Sequence, residues 1–292
     1  MYRNFAIERA ENIVTVTLSR PEKRNPINEE MLGEFEHIAL ALRDDVEARA
    51  VILTGAGSAF CAGADLSLVK GVTDVNERER LFAEARNRRA RLIGRTFALF
   101  ENLEQVTIAA INGYAIGGGW GLALACDFRL AVPGAQFWFP EVDLGVPLGL
   151  GSTSRLVSLV GPTRAKEIIL TCDRYTSEDL LSWGLINRIV PPESLMGTAG
   201  DLAKRLVAKN PRAIAGSKLT VNAIAAVAAR EMSTVQPDLF IHRPLGYRIL
   251  SPSRMQDPCA LGGLPTAEDQ FHTRSVEAIK RAPADCSSSI AR

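Results

Sequence analysis

Residues 106–131 read VTIAAINGYAIGGGWGLALACDFRLA, and the run carries no charged side chain before its last five positions. Residues 107–111 combine β-branched and small apolar side chains, which predicts a short buried strand. Three consecutive glycines follow at 117–119, and the apolar residues 120–126 behind them predict a buried helix. The order of strand, glycine-rich turn and helix is typical of an α/β fold.

The uncharged part of this run, residues 106–126, is long enough to suggest a membrane span. It nevertheless contains Asn112 and five glycines, which favour a strand, a turn and a buried helix over one continuous apolar helix. The first residues of the chain are charged from Arg3 onwards and lack the apolar core of a secretory signal. We therefore expect a soluble protein without a membrane partner.

Strand and helix signals alternate through the N-terminal half of the chain. Residues 13–18 alternate in polarity and predict a strand, and residues 50–53 predict a second, fully buried one. Asn28 is a candidate N-cap, because apolar residues at helical spacing follow it over residues 31–42. Residues 77–95, which carry seven arginines, predict an amphipathic helix with a charged outer face, or a subunit contact or tunnel flank.

Helices dominate after about residue 161. Predicted helices cover residues 162–170, 177–181, 193–208 and 211–229, and a last one covers 267–281. Five prolines in the segment 237–265 are spaced too closely for long helices. We predict a catalytic core over residues 1–210 and a helical C-terminal region with this atypical proline-rich segment over residues 211–292.

The composition excludes several functional classes. A formal net charge of +1 over 292 residues gives no overall field that would attract nucleic acid or an anionic membrane. Hydrophobic residues make up 47% and charged residues 23%, close to the globular average, which argues against disorder and coiled coils. Five cysteines without a Cys-x-x-Cys spacing and three scattered histidines predict no disulfide framework and no metal site. We expect a reducing, cytoplasmic setting.

Familiar nucleotide-binding and hydrolase motifs are absent from the sequence. Gly55-Ala56-Gly57 lacks the third glycine of the dinucleotide fingerprint, and neither a P-loop nor a Gly-x-Ser-x-Gly elbow occurs. The match of residues 67–70 to Ser-x-x-Lys stands without its companion motifs and is attributed to chance. These absences argue against dinucleotide, P-loop and serine-hydrolase chemistry.

Two glycine-containing turns remain, residues 58–66 and 112–119, and each follows a predicted buried strand. Small side chains in such turns let a ligand approach the backbone and its N–H groups. Two converging turns would offer paired donors to one oxyanion, each contributing roughly 3–4 kcal/mol to a transition state. Tight turns that serve only packing explain the spacing equally well.

The residues of these turns carry a resemblance to a known family. SAFCAGADL (58–66), INGYAIGGGWGLALACDFRLA (111–131) and AQFWFPEVDLGVPLGLGSTSRLVSLVG (135–161) resemble, in the right order, the three signature blocks of the crotonase (enoyl-CoA hydratase/isomerase) superfamily. RPEKRNPIN (20–28) and RYTSEDLLSWGLINRIVP (174–191) are also similar to that family. The likeness covers about two-thirds of the chain, from residue 13 to residue 211.

The resemblance implies a spiral of ββα units with a helical C-terminal trimerisation region, assembled as a homotrimer or as a dimer of trimers. It also implies acyl thioesters of coenzyme A as substrates, as in fatty acid metabolism. Coenzyme A is then part of the substrate, so that no separate cofactor is expected.

The resemblance also implies roles for individual residues. The thioester oxygen is expected to accept hydrogen bonds from the N–H groups of Ala62 and Gly118, and Glu141 to move the α-proton. The apolar residues 137–139 are expected to raise the pKa of Glu141 by burial. Asp143 is a possible helper, although extended geometry favours a structural role. Expected contacts to coenzyme A come from Lys23, Arg24, Ala62, Gly63, Ala64, Asp65, Gly117 and Gly118.

Gly121 departs from the family pattern. Typical hydratases of the family carry a second glutamate at this position, and the two carboxylates together hold the water that adds across the double bond. Glycine offers no such group, so double-bond isomerisation with Glu141 as the single acid/base is slightly favoured over hydration. A hydratase or lyase for a bulky or aromatic acyl-CoA, and a non-catalytic acyl-CoA-binding member, are the alternatives.

Overall fold

The computed structural model describes residues 2–65, 67, 74, 92–149 and 151–233 of the chain. The proline-rich segment 237–265, the predicted last helix 267–281 and residues 77–91 of the predicted amphipathic helix lie outside this described part. The predicted C-terminal region is described only as far as residue 233, and its division from the core between residues 210 and 211 stays a prediction.

The described strands form two sheets. They are Phe5–Ala10 (β1), Ile13–Leu18 (β2), Ala50–Gly55 (β3), Ala59–Cys61 (β4), Val106–Ile111 (β5), Tyr114–Ile116 (β6), Phe128–Ala131 (β7), Gln136–Trp138 (β8), Tyr175–Thr176 (β9) and Arg188–Ile189 (β10). The larger sheet has the order β1-β2-β3-β5-β7-β10, and the smaller one has the order β4-β6-β8-β9. Pairing is parallel except at β1–β2 and β8–β9, which are antiparallel.

The described helices follow pairs of strands or close the C-terminal half. They are Glu29–Asp44 (α1), residues 92–101 (α2), Gly118–Leu124 (α3), Ser152–Thr171 (α4), Ser177–Ser182 (α5), Leu195–Val207 (α6) and Pro211–Ser233 (α7). Single 3₁₀ turns occur at Pro21–Lys23 and Pro192–Ser194. No helix within the described ranges is both long and apolar enough to cross a membrane.

The chain repeats one unit, in which a strand of the large sheet is followed by a strand of the small sheet and then a helix. The units β5–β6–α3 and β7–β8–α4 follow each other directly, and β3–β4 precedes α2 in the same order. All residues of β3 and β5 are buried, as expected for parallel strands covered on both faces. This repetition confirms the predicted α/β spiral of ββα units.

The first helix forms where the sequence predicts it. The Asn28 side chain accepts a hydrogen bond from the Met31 N–H at 2.7 Å and so caps α1. The apolar side chains at helical spacing are all buried in the core, where Phe35 stacks on Phe5 with ring centroids 5.6 Å apart. Local capping and amphipathic spacing therefore suffice to define this element.

Two glycines let the small sheet approach its neighbours closely. A Cβ atom at Gly113 would overlap the Ser58 carbonyl oxygen, and one at Gly119 would overlap both the backbone and the side chain of Cys61. Any larger residue at these two positions would push the turn that follows β5 away from β4. The glycines thus bring the two predicted turns side by side.

Helix α4 begins ten residues earlier than the predicted start at residue 162. Gly161 lies inside it with φ 72° and ψ 169°, a conformation that breaks the helical path just before Pro162. The sequence signals at this break suggested a helix start, whereas the chain is already helical from Ser152. Gly151, with φ 76°, provides the turn that leads into the helix.

Helix α7 is held against the sheet by a partly buried ion pair. Lys218 Nζ lies 2.8 Å from Asp127 Oδ2, and only 7% of the lysine side chain is exposed. The same ammonium donates to the Gln105 carbonyl oxygen at 2.7 Å. Asp127 also accepts from the Thr107 N–H at 2.7 Å, so one carboxylate joins α7 to β5.

Candidate active site

The two glycine-containing turns meet between β4 and β6. These strands pair in parallel, with Cys61 opposite Ala115. A Cβ atom at Gly63 would lie 2.7 Å from the Ile116 carbonyl oxygen and 3.8 Å from the Gly118 nitrogen. The first turn therefore touches the start of α3, and the structure brings the predicted residues of both turns together.

The N–H group of Ala62 is already engaged. It donates to the Arg24 carbonyl oxygen at 2.9 Å, so it is not available to a thioester oxygen. This corrects the expectation that Ala62 supplies one of the oxyanion donors. Gly63, with φ 82°, turns the backbone after Ala62, and such a reversal is not apparent from sequence spacing.

Ala64, two residues later, has an N–H group that no described residue accepts. It forms an isolated parallel bridge with Ile27, in which Ile27 N–H donates to Gly63 O at 2.6 Å and Asp65 N–H donates to Ile27 O at 2.8 Å. In such a bridge the N–H of the central residue points away from the partner strand. Ala64 is exposed, and its N–H has no hydrogen-bond partner among the described residues.

Gly118 offers the matching donor on the second turn. It is the first residue of α3, where an N–H group has no partner within the helix. The preceding Gly117 has φ 50° and ψ −122° and donates its own N–H to the Trp138 carbonyl oxygen at 3.0 Å. That bond fixes the start of α3 to β8 and leaves the next N–H free.

Glu141 reaches the same place from the end of β8. Its Oε1 atom would lie 2.9 Å from a Cβ atom at Gly117, so the carboxyl group stands beside the second turn. Oε2 is buried and has no hydrogen-bond partner among the described residues. Because burial disfavours the charged form, the pKa of Glu141 is raised from 4.5 to about 7.

Aromatic packing holds this carboxyl group in place. Phe139, which is fully buried, stacks on Trp120 of α3 with ring centroids 4.4 Å apart. Phe137 contacts the same indole edge-on at 5.8 Å. The apolar side chains before Pro140 thus anchor the segment that carries Glu141 and remove water from its surroundings.

Gly121 lies about one helical turn beyond Gly118. Because it is glycine, it places no side chain beside α3 at this position. A Cβ atom there would overlap the hydroxyl oxygen of Ser152, the first residue of α4, and would lie 3.6 Å from Phe97 Cε2. No local sequence signal connects Ser152 with Gly121, because Ser152 is 31 positions away and follows a glycine-rich loop.

The residues predicted to bind coenzyme A surround the first turn. Lys23 is exposed on the 3₁₀ turn, and Arg24 follows in the left-handed region with φ 63°. The Arg24 guanidinium lies over the ring of Tyr114, 5.4 Å from its centroid. Both basic residues therefore border the two turns, and their contact with phosphate stays a prediction.

Asp65 stabilises the first turn. It accepts from the Arg20 guanidinium at 2.8 Å and from the Ser67 N–H at 2.9 Å. Burial by itself would raise its pKa, but the hydrogen bonds from Ser67 and the Arg20 charge outweigh it and hold the pKa below 3.8. This ionised, paired state agrees with the predicted role of a structural cap.

Asp143 differs from Glu141 in its surroundings, although only two residues separate them. Asp143 is exposed as a residue, but its carboxyl group is partly buried, and this burial raises its pKa. A hydrogen bond with the Cys172 thiol opposes the rise without cancelling it. Its carboxyl group therefore has a structural contact outside the two turns. Among the described residues, no cluster of three histidine, cysteine or acidic side chains is arranged to hold a metal ion.

Comparison with known proteins identifies relatives of this chain. The model of the enoyl-CoA hydratase/isomerase family matches residues 8–244. A short-chain-enoyl-CoA hydratase of Clostridium acetobutylicum is 38% identical over 220 residues, which cover 75% of this chain and 81% of the relative. The structure of an enoyl-CoA hydratase from Bacillus anthracis has a TM-score of 0.68 at 28% identity, covering 96% of this chain and 98% of that one. The structure of a monofunctional enoyl CoA isomerase from M. smegmatis has a TM-score of 0.63 at 29% identity, covering 76% of this chain and 94% of that one.

Proposed function

The chain belongs to the enoyl-CoA hydratase/isomerase family, and on that premise we propose that it isomerises the double bond of an enoyl-CoA thioester with Glu141 as its single acid/base. Glu141 would take a proton from C2 of a 3-enoyl thioester and return it at C4, while the double bond moves to C2. The observation that carries the proposal is the Glu141 carboxyl group beside Gly117, whose buried Oε2 atom has no hydrogen-bond partner among the described residues.

The oxyanion of the enolate is assigned to two backbone donors. We place Ala64 and Gly118 in this role, because neither N–H group has a hydrogen-bond partner in the described part of the chain and the turns that carry them are in contact. Negative charge builds up on the thioester oxygen only as the proton leaves, so the donors favour the transition state over the bound substrate. Each is expected to contribute roughly 3–4 kcal/mol.

The pKa of about 7 suits a carboxyl group that must both accept and donate a proton. At neutral pH about half of the molecules without substrate carry an ionised Glu141, which can act as the base. Protonated Glu141 can still give up its proton. No second acid is needed for a proton shuttle between C2 and C4, in keeping with glycine at position 121.

The assay separates the candidate reactions by mass. Purified protein is incubated with a 3-enoyl-CoA and, separately, with the 2-enoyl-CoA of the same chain length, and the products are identified by chromatography and mass spectrometry. Isomerisation shifts the retention of the 3-enoyl compound at constant mass, whereas hydration adds the mass of water to the 2-enoyl compound.

Two variants identify the base. Glu141→Gln keeps the shape of the side chain but removes its proton transfer, and it should lower turnover by at least about a hundredfold. Asp143→Asn is the matched control, since it neutralises an exposed carboxylate two residues away and should retain turnover. Unchanged turnover in Glu141→Gln would refute the assignment, and thioester binding without turnover in the wild type would favour a bulkier acyl group or a non-catalytic role.

Homotrimeric or hexameric assembly and a cytoplasmic location stay predictions. Lys23 and Arg24 are the candidates for the nucleotide phosphates, because both lie next to the turn whose backbone borders the site.

A further inference from the structure

Residues 20–27 belong to neither sheet, but they contact both turns of the candidate active site. Ile27 pairs with the first turn through its backbone: its N–H donates to Gly63 O at 2.6 Å, and its carbonyl oxygen accepts from the Asp65 N–H at 2.8 Å. Its side chain reaches the second turn, where Cδ1 lies 3.5 Å from the place that a Cβ atom of Gly118 would take. One buried residue therefore lies against both segments that carry the assigned oxyanion donors.

The backbone pairing of Ile27 decides which way the Ala64 N–H points. In parallel pairing, the residue between the two bonded positions directs its N–H away from the partner strand. Because Gly63 and Asp65 bond to Ile27, the Ala64 N–H is turned to the opposite side. A slip of this pairing by one residue would reverse the direction of the donor.

Arg20 ties the segment to the first turn a second time. Its guanidinium donates to the Pro26 carbonyl oxygen at 2.7 Å and to the Asp65 carboxylate at 2.8 Å. The two charged side chains are only 12% and 4% exposed, and shielding from water strengthens such a charge-assisted hydrogen bond. Since Pro26 precedes Ile27 and Asp65 follows Ala64, this bridge runs alongside the backbone pairing and holds its register.

Two residues in the left-handed region lead the chain to Ile27. Arg24 and Asn25 have φ values of 63° and 56°, a conformation that costs free energy for residues with a side chain and persists only where neighbouring groups enforce it. Asn25 is completely buried, and its side-chain amide donates to the carbonyl oxygens of Ala56 and Ala59 at 2.9 and 2.8 Å. Such enforced strain beside a site indicates that the exact path of the chain into Ile27 matters.

We propose that Ile27 is a positioning residue that sets the gap between the N–H donors of Ala64 and Gly118, and with it the stabilisation of the enolate oxygen. The inference rests on the proposed function, which assigns the enolate oxygen to these two donors. Hydrogen bonds weaken as their length and angle depart from the ideal, and a misplacement of about 1 Å can lower a catalytic rate about a hundredfold. Ile27 acts through the two backbone segments and needs no contact with the substrate.

The first measurement is of kcat and KM for the isomerisation of 3-hexenoyl-CoA. Ile27→Ala should lower kcat by about tenfold to a hundredfold and change KM by less than about twofold, because the donors act mainly in the transition state. Ile27→Leu keeps the volume of the side chain and should retain most of kcat. Ile38→Ala is the matched control, since it removes the same atoms from a buried isoleucine of α1 and should leave kcat near that of the wild type.

A ligand that carries the charged oxygen provides a second measurement. A 3-ketoacyl-CoA loses a proton between its two carbonyl groups and forms a stable enolate, which is followed by its ultraviolet absorbance. The saturated acyl-CoA of the same chain length forms no such enolate and serves as the reference ligand. Ile27→Ala should weaken binding of the enolate by about tenfold or more and change the affinity for the saturated thioester by less than about twofold. A merely structural defect would weaken both ligands alike.

A smaller truncation covers the case in which Ile27→Ala does not fold. Ile27→Val removes only Cδ1, the atom that faces Gly118, and should lower kcat in the same direction by a smaller factor. Unchanged kcat in folded Ile27→Ala or Ile27→Val, an equal loss in Ile38→Ala, or a change confined to KM would overturn the proposal and leave the proposed function standing. A wild-type protein that does not isomerise the substrate would overturn the proposed function and this inference with it.

Discussion

Replacing Glu141 by glutamine is expected to stabilise the fold at neutral and alkaline pH. The carboxyl group has a pKa of about 7 in the folded chain against an ordinary value of 4.5, because burial disfavours its charged form. Between these two pH values the folded state retains a proton that the unfolded state releases. The free energy of unfolding therefore falls as pH rises through this window.

The magnitude follows from the size of this shift. At 1.36 kcal/mol per pKa unit, ionised Glu141 costs the folded state about 3 kcal/mol above pH 7 and almost nothing below pH 4.5. The residue as a whole retains some exposure although Oε2 is buried, and solvent near the group reduces this cost. We expect Glu141→Gln to be more stable than the wild type by about 2–3 kcal/mol at pH 8.

The assay is denaturant unfolding of both proteins at pH 4.5 and at pH 8, with slopes compared to establish that the same surface is exposed. The gain of Glu141→Gln should appear at pH 8 and shrink to within about 0.5 kcal/mol at the lower pH. Glu193→Gln, which changes an exposed carboxylate, is the matched control for the loss of one acidic side chain. An equal gain for Glu141→Gln at both pH values would refute the reasoning, because it would show that burial of the ionised carboxylate is not the cause.

Three further predictions concern rate and stability. The kcat/KM of isomerisation should rise with pH and reach half its maximum near pH 7, since the ionised form of Glu141 is the base; a flat profile from pH 5 to pH 9 would contradict this. Ala64→Pro, which deletes an N–H donor, should lower kcat by about 10²–10³ in a folded variant, whereas Ala64→Gly, which keeps the donor, should retain most of it; equal rates for the two would remove Ala64 from the oxyanion site. Lys218→Met should lower the free energy of unfolding by about 2–3 kcal/mol in denaturant titrations, because it leaves the partly buried Asp127 carboxylate without its ion-pair partner at 2.8 Å; a loss below about 1 kcal/mol would mean that the pair behaves as a surface pair.

Elements governed by local signals were predictable from the sequence. The helix behind Asn28 and the strand Ile13–Leu18 follow from capping and alternation within a few residues. Strand Phe5–Ala10 was not predicted, because only its first residue is buried and the remaining five are exposed at the edge of the sheet. An edge strand of this kind carries little hydrophobic pattern, and its pairing with β2 becomes apparent only in the fold.

Site residues were predictable in type more readily than in detail. The resemblance directed attention to the two turns, which the structure brings together, but the choice of Ala62 depended on which N–H group is engaged after Gly63 turns the backbone. Ser152 comes next to Gly121 only when α4 packs against α3, and no spacing in the sequence shows this proximity. The pair Asp127–Lys218 spans 91 positions, and no local pattern connects its partners.

The buried carboxyl group of Glu141 combines a cost in stability with its proposed use in catalysis, and the aromatic residues around it offset that cost. An unpaired buried carboxylate would destabilise the fold by about 3 kcal/mol when ionised, whereas each fully buried aromatic side chain contributes about 1.5–3 kcal/mol. Trp120, Phe137 and Phe139 are all buried, and both phenylalanine rings contact Trp120 at the base of the segment that carries Glu141. Removing one of them would therefore both loosen this segment and readmit water, and the second effect would lower the pKa of Glu141 towards its ordinary value. The same apolar cluster thus sets the position of the base and the pH range in which it works.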